Sequence, residues 1–126
     1  MAIKIQTSKK EIPIELGEHT LHFIRSNENI IKVENSKENA DKIRSFIEKK
    51  ESLEEAFPDI DTFLKQAIDD ILGEGSFEKV CDVSPDSIDR SWVYAQIIYG
   101  ILEELEKTGD IKSVQQKAQK YIQNKK

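Results

Sequence analysis

The apolar positions change period along the chain. Between residues 2 and 24 they alternate: Ile3 and Ile5 in "AIKIQ", Ile12, Ile14 and Leu16 in "EIPIEL", and Leu21 and Phe23 in "TLHFI". A period of two puts one side of a strand on a core and the other in water. "TSKK" and "LGEH" separate these runs and predict turns, with Gly17 supplying the second. Pro13 has no backbone N–H, so its strand is expected at a sheet edge or with that position turned outward. The expectation is a short antiparallel sheet of two or three strands, whose apolar face needs helices or another subunit to cover it. "NIIKVE" at 29–34 fits either a further strand or the start of the helical part.

From Ser36 the spacing becomes helical. Ser36 and Asn39 are the candidate caps of a helix in which Ala40, Ile43, Phe46 and Ile47 share a stripe, continued less regularly by Leu53, Ala56 and Phe57. Pro58 marks a boundary and suits the first turn of a new helix. Over 59–72, Ile60, Phe63, Leu64, Ala67, Ile68, Ile71 and Leu72 recur at steps of three and four, the cleanest amphipathic pattern in the chain. "SFEKVCDV" then gives a short helix with Phe77, Val80 and Cys81 on one side. "SPDS" at 84–87 predicts the next start, with Ser84 as cap and Pro85 in the first helical position. That helix, to about Lys107, carries a wide apolar arc from Ile88 to Leu105, with a main stripe at 88, 92, 95, 99 and 102. Tyr94 falls off this stripe and is expected to make contacts outside the core. Gly109 ends the helix. Ile111, Val114, Ala118 and Ile122 form a thin stripe on a last, lysine-rich helix.

These elements predict one α+β domain over 1–126, mostly helical: a short antiparallel sheet followed by four or five helices. Its β-rich part is 1–34 and its helical part 36–122, with 123–126 expected to fray. The composition agrees with a folded domain, since 37% of residues are hydrophobic and 34% charged. No run approaches the roughly 20 apolar residues needed to span a bilayer. "MAIKIQTSKK" has no apolar core of a signal peptide. A single cysteine, Cys81, forms no intramolecular disulfide and suits a reducing compartment. The expectation is a soluble intracellular protein.

Charge sharpens the picture. The net charge is −5. From Asp59 to Glu106 twelve acidic residues face three basic ones, a net −9, whereas from Lys107 to Lys126 six lysines face Asp110, a net +5. The acidic middle disfavours nucleic acid on that surface, and the basic end suits an acidic partner, another copy of the chain or RNA, or simply a solvated helix end.

"GEGSFEKV" at 73–80 imitates the glycine-rich loop of a kinase, but Glu78 stands where the third glycine belongs and would repel phosphate. The preceding "FLKQAIDDIL" reads as helix rather than strand, and no "VAIK", "HRD" or "DFG" follows. The stretch is instead expected to be a helix–helix joint. Gly73 ends the 59–72 helix in a left-handed conformation, and Ser76 caps the next one. His19 and His22 lie three apart in a strand and point to opposite faces, a poor ligand pair. Asp69 and Asp70 fit a solvated helix face. Asp82, Asp86 and Asp89 lie near Glu74 and Glu78 without a nucleophile or histidine expected beside them. Cys81 sits in an acidic stretch that disfavours a thiolate. No catalytic, cofactor-binding or metal-ligating residues are assigned, so the protein is read as non-enzymatic and its function as a property of its surfaces.

The order of "IPIELGEHTLHF", a charged helix, "AIDDILGEGSFEKV", a "SPDSI" helix start and a final helix resembles the small tail assembly chaperones of long-tailed bacteriophages and prophages of Gram-positive bacteria. The resemblance implies a protein of the host cytoplasm that self-associates and binds the tape measure protein before the tail tube polymerises around it. Some members of that family are also made as a longer, frameshifted form. Other readings are a head–tail structural protein of the virion and a small regulatory module that binds protein or nucleic acid. The faces around Trp92 and Tyr99 suit helix-on-helix or self-assembly contacts, or equally a monomer core.

Overall fold

The computed structural model describes residues 2–3, 11–52, 55 and 57–108. Most of the expected first strand, the irregular extension through Leu53 and Ala56, Gly109 and the expected last helix lie outside these residues. Within them an antiparallel hairpin precedes four helices, a mostly helical α+β fold.

Strands β1 (Glu11–Leu16) and β2 (His19–Ile24) pair from Glu11↔Ile24 to Leu16↔His19 across a two-residue turn. Gly17 has φ +59° while Glu18 does not have positive φ, the pattern of a turn with glycine at its first central position. In a two-residue hairpin the pair next to the turn is hydrogen-bonded and the pairs alternate from there. Pro13, opposite His22, then falls in a pair that makes no ladder bonds, and its missing N–H faces the open edge. Leu21 and Phe23 are buried, while Ile12, Ile14 and Leu16 are half-buried on the same side of the hairpin.

Helix α1 (Asn27–Glu48) settles the open question of 29–34 as helix and moves the boundary of the β-rich part forward to Ile24. Ser26 is the cap: its backbone is extended and its Oγ accepts from the Asn29 N–H at 3.1 Å. Glu28 stands in the first turn, where the helix dipole favours a carboxylate. Ser36 and Asn39 are therefore interior, not caps, and Ser36 Oγ donates back to the Lys32 carbonyl at 2.7 Å. The helix ends in a Schellman motif: Lys50 N–H bonds the Ile47 carbonyl at 3.2 Å and Glu51 N–H bonds Phe46 at 2.9 Å. Lys50 holds the left-handed position of that motif at φ +56°.

Helix α2 (Ile60–Leu72) follows its pattern. Leu64, Ile68 and Ile71 are buried and Asp59 is the cap, so Pro58 precedes the helix instead of opening it. Helix α3 (Ser76–Val83) buries Phe77 and Val80. Helix α4 (Ser87–Thr108) begins later than "SPDS" suggests. Asp86, not Ser84, does the capping: its carboxylate accepts from Ile88 N–H at 2.8 Å and its carbonyl from Arg90 N–H at 2.9 Å. Ser84 instead ends α3, its N–H on the Val80 carbonyl. Helix α4 packs chiefly on α1 and also touches α2, α3 and β1.

Two backbone positions give opposite expectations. Gly73 closes α2 at φ +104° and ψ 154°, a conformation that only glycine adopts freely, and a Cβ there would meet no atom within 4 Å. Gly73→Val is expected to cost about 1–3 kcal/mol from the backbone alone. Lys50→Gly, which relieves a left-handed lysine, is expected to gain about 1 kcal/mol. Urea denaturation of the two variants checks both signs.

Candidate functional site

The stretch "GEG" is a joint whose stabilising group lies eight residues away from the bond it makes. Gly75 is left-handed at φ +91° and precedes α3 without offering a side-chain cap. Ser76 does not cap the helix as expected; it is buried as the first helical residue. The cap comes from Asp69 on α2, whose Oδ1 accepts from Phe77 N–H at 2.9 Å while Oδ2 holds Lys65 at 3.2 Å. Asp69 is thus not simply a solvated carboxylate, since its side chain is only 16% exposed. The Lys65 pKa is raised, first by its bond to Asp69, with Glu78 and Glu74 adding to the field.

A second joint fixes the start of α4. Arg90 donates from Nε to the Ser84 carbonyl at 2.8 Å, from one terminal nitrogen to Pro85 at 2.6 Å, and from the other to Asp61 Oδ1 on α2 at 3.1 Å. Ser87 Oγ donates to the same carboxylate. One guanidinium therefore ties the α3–α4 loop to α2. Nothing in the local sequence pattern marks Arg90 for this role, because its partners come from two other elements.

The residues singled out for chemistry disperse into pairs. His19 Nε2 meets Asp82 at 2.7 Å, joining the hairpin to α3, whereas His22 turns to Glu11 at 3.4 Å. The two histidines therefore serve opposite faces. Asp70 holds Lys32 of α1 at 3.0 Å, which raises the lysine pKa. Asp86 is committed to its cap and Cys81 is half-buried against the core. Among the described residues no three His, Cys, Asp or Glu side chains gather as a metal site, and no helix is long and apolar enough to cross a membrane.

Helix α4 presents its surface differently from its apolar stripe. Tyr94, expected outside the core, is 1% exposed and meets Phe63 edge-on at 5.7 Å. The stripe residues Ile88 and Trp92 are 55% and 39% exposed instead. The buried line is shifted by about one residue from that stripe and takes in Ser91, whose Oγ donates to the Ser87 carbonyl at 2.8 Å. Burial raises the Tyr94 pKa against a weaker opposing effect from Ser36. Among the described residues the buried Tyr94 hydroxyl has no partner at hydrogen-bonding geometry.

Ile88 forms one wall of an open groove of about 480 Å³ with Phe46, Ile47 and Ile60, rimmed by Lys50, Glu51, Ser52 and Ser87. One turn further along α4 stands Trp92. The groove thus brings the ends of three helices together under exposed apolar side chains. Apolar side chains form its walls and Lys50 and Glu51 stand at its rim, a composition suited to contact with another apolar surface. This is the candidate interaction surface.

The same helices are clasped on another flank. Tyr99 donates to Asp41 Oδ1 at 2.6 Å, Lys37 approaches Asp41 at 3.0 Å, and the Arg44 guanidinium lies 5.6 Å from the Tyr99 ring centroid. Burial and then the Asp41 bond push the phenol up to about 12, while the Tyr99 hydroxyl chiefly lowers the Asp41 pKa. The raised phenol pKa means that its contribution is whole below its ordinary 10.0 and is lost as pH rises through 12. The lowered carboxyl pKa means that its contribution is present above 3.8 and fades as pH falls below that. The stability difference between wild type and Tyr99→Phe is therefore expected to be flat at neutral pH and to shrink at both extremes, read from denaturation curves across pH. Asp69→Ala, which uncaps α3, is expected to cost about 1 kcal/mol in the same assay.

Comparison with protein-family models, with characterised proteins and with solved structures returned no match.

Proposed function

We propose that the protein is a non-enzymatic tail assembly chaperone of a long-tailed phage or prophage, acting in the host cytoplasm on the tape measure protein. Support comes from the family resemblance carried by "AIDDILGEGSFEKV" and its neighbours, and from one structural observation. Ile88 and Trp92 stand exposed beside an apolar groove, on the helix that otherwise forms the middle of the core. A long helical partner presents apolar side chains at steps of three and four, and a groove between helix ends takes such a stripe. The acidic surface from Asp59 to Glu106 keeps the protein soluble while that face is open and steers it toward basic partners. Self-association would place many copies along one extended partner.

Co-purification with a tape measure protein from the same genome tests the reading. The expected outcome is a complex, with Trp92→Ala weakening it by about tenfold or more, as loss of a central aromatic contact does. Circular dichroism should be unchanged in the variant, since Trp92 lies outside the buried core. A protein that stays monomeric at high concentration and ignores the tape measure protein overturns the proposal. Stable incorporation into finished virions would replace it with a structural role.

A further inference from the structure

We infer that the groove between β1 and α4 is a docking site for a basic amphipathic helix of a partner protein, which crosses α4 at Gly100. Helix α4 forms one wall with Val93, Ile97, Gly100, Ile101 and Glu104, residues spaced by three and four along one flank. Ile12, Ile14 and Leu16 of β1, all half-buried, form the other. The space between them is about 400 Å³. It shares no residue with the Ile88 groove, and the inference does not depend on the proposed chaperone role.

Gly100 carries the argument. It stands in the interior of α4, where glycine weakens a helix more than any residue except proline. Its φ is not positive, so the backbone does not call for glycine. Packing does not call for it either, since a Cβ added there would meet no atom within 4 Å among the described residues. A glycine on a helix flank does let a second backbone approach closely, because the side chains at the contact set the distance between helix axes. Gly100 lies midway along the α4 wall of the groove, where such an approach would occur.

Charge fixes the chemistry of the occupant. Glu15 stands on the strand side of the rim, and Glu103 and Glu104 stand on the helix side. Lys107 reaches Glu103 at 3.7 Å and Glu104 at 3.4 Å, one cation shared between two carboxylates. A helix with lysine or arginine on both flanks of its apolar stripe lays its aliphatic stems on the walls and carries its charges to both sides of this rim. The α2–α4 surface of a second copy, a net −9 over Asp59–Glu106, would bring like charge instead.

The open edge of β1 decides between a helix and a strand. Ile12, Ile14 and Leu16 bond β2, so positions 11, 13 and 15 turn their backbone groups to the open edge. Pro13, the middle one, has no N–H, and an added strand would lose its central ladder bond. A helix asks nothing of that backbone and needs only apolar anchors at steps of three and four.

Isoleucine-methyl spectra of the full chain test the site. The probe is a synthetic helix with leucine and alanine on one stripe and lysine on both flanks; its control replaces each lysine by glutamate. The lysine helix should shift Ile12, Ile14, Ile97 and Ile101 and leave Ile88 in place, and the glutamate helix should bind at least about tenfold more weakly. Gly100→Leu should weaken the lysine helix by about tenfold or more with circular dichroism unchanged, as should Glu15→Lys with Glu103→Lys. Gly100→Ala should raise the urea midpoint of the free protein, whereas a lower midpoint would show that the fold itself needs the glycine and overturn the inference. Unmoved groove methyls, equal binding of the two helices, or full affinity in Gly100→Leu would overturn it as well. Groove methyls that shift with the concentration of the protein alone would assign the groove to a second copy. Weaker binding in Trp92→Ala would move the helix to the Ile88 groove, and either result would overturn the inference.

Discussion

Tyr94, Ile98, Ile101 and Leu105 stand along one line of α4, each no more than 1% exposed, and α1 is the principal neighbour of that helix. Burying four such side chains contributes on the order of 10 kcal/mol before entropy is counted, comparable to the whole net stability of a domain this size. The other elements meet the core around this pairing. The hairpin brings Leu21 and Phe23 onto α2 from one side, and Phe63 links α2 to Tyr94 through ring contact. Phe57 extends the stack at 4.9 Å from Phe63, so an aromatic row runs from the end of the α1–α2 connection into the centre.

Helix α4 packs chiefly on α1, yet Ile88 and Trp92 in its first turns stay exposed. Its N-terminus is fixed by Arg90 bridging Ser84, Pro85 and Asp61, so Ile88 and Trp92 are presented on a rigid element. This matters for recognition, because an apolar face held in place loses less conformational entropy on binding than one on a mobile loop. The polar joint and the exposed face are therefore two consequences of one arrangement.

Pattern predicted the elements better than it predicted their orientation. Helix α2 was legible because seven apolar side chains keep the helical period and nearly all of them face the core. The hairpin was legible from alternation and one glycine. Helix α4 was legible as a helix, but its buried line includes Ser91 and Tyr94, whose polar atoms hid them from a count of apolar residues. Ser91 satisfies its hydroxyl within its own helix, whereas Tyr94 buries its ring and its oxygen has no hydrogen-bond partner among the described residues. The start of α1 was hidden for a related reason. "NSKEN" looks like a cap region, yet Val33 before it and Ala40 just after it are fully buried, and their tertiary contacts carry the helix through it.

The joints were illegible because their donors and acceptors are distant along the chain, and this bears on the stretch that imitates a phosphate loop. The N-terminus of a helix after glycines attracts an anion through its free N–H groups and its dipole. In α3 that attraction is already answered from within: Asp69 places a carboxylate on the Phe77 N–H at 2.9 Å. A phosphate approaching "GEG" would meet this carboxylate together with those of Glu74 and Glu78, and would have to displace the first to reach its hydrogen bond. Uncapping α3 would cost about 1 kcal/mol, while bringing a phosphate among three carboxylates adds repulsion, and the nearby Lys65 is already bonded to Asp69. The same glycines that suggest a nucleotide cradle thus let α2 turn sharply enough to cap its successor with its own side chain.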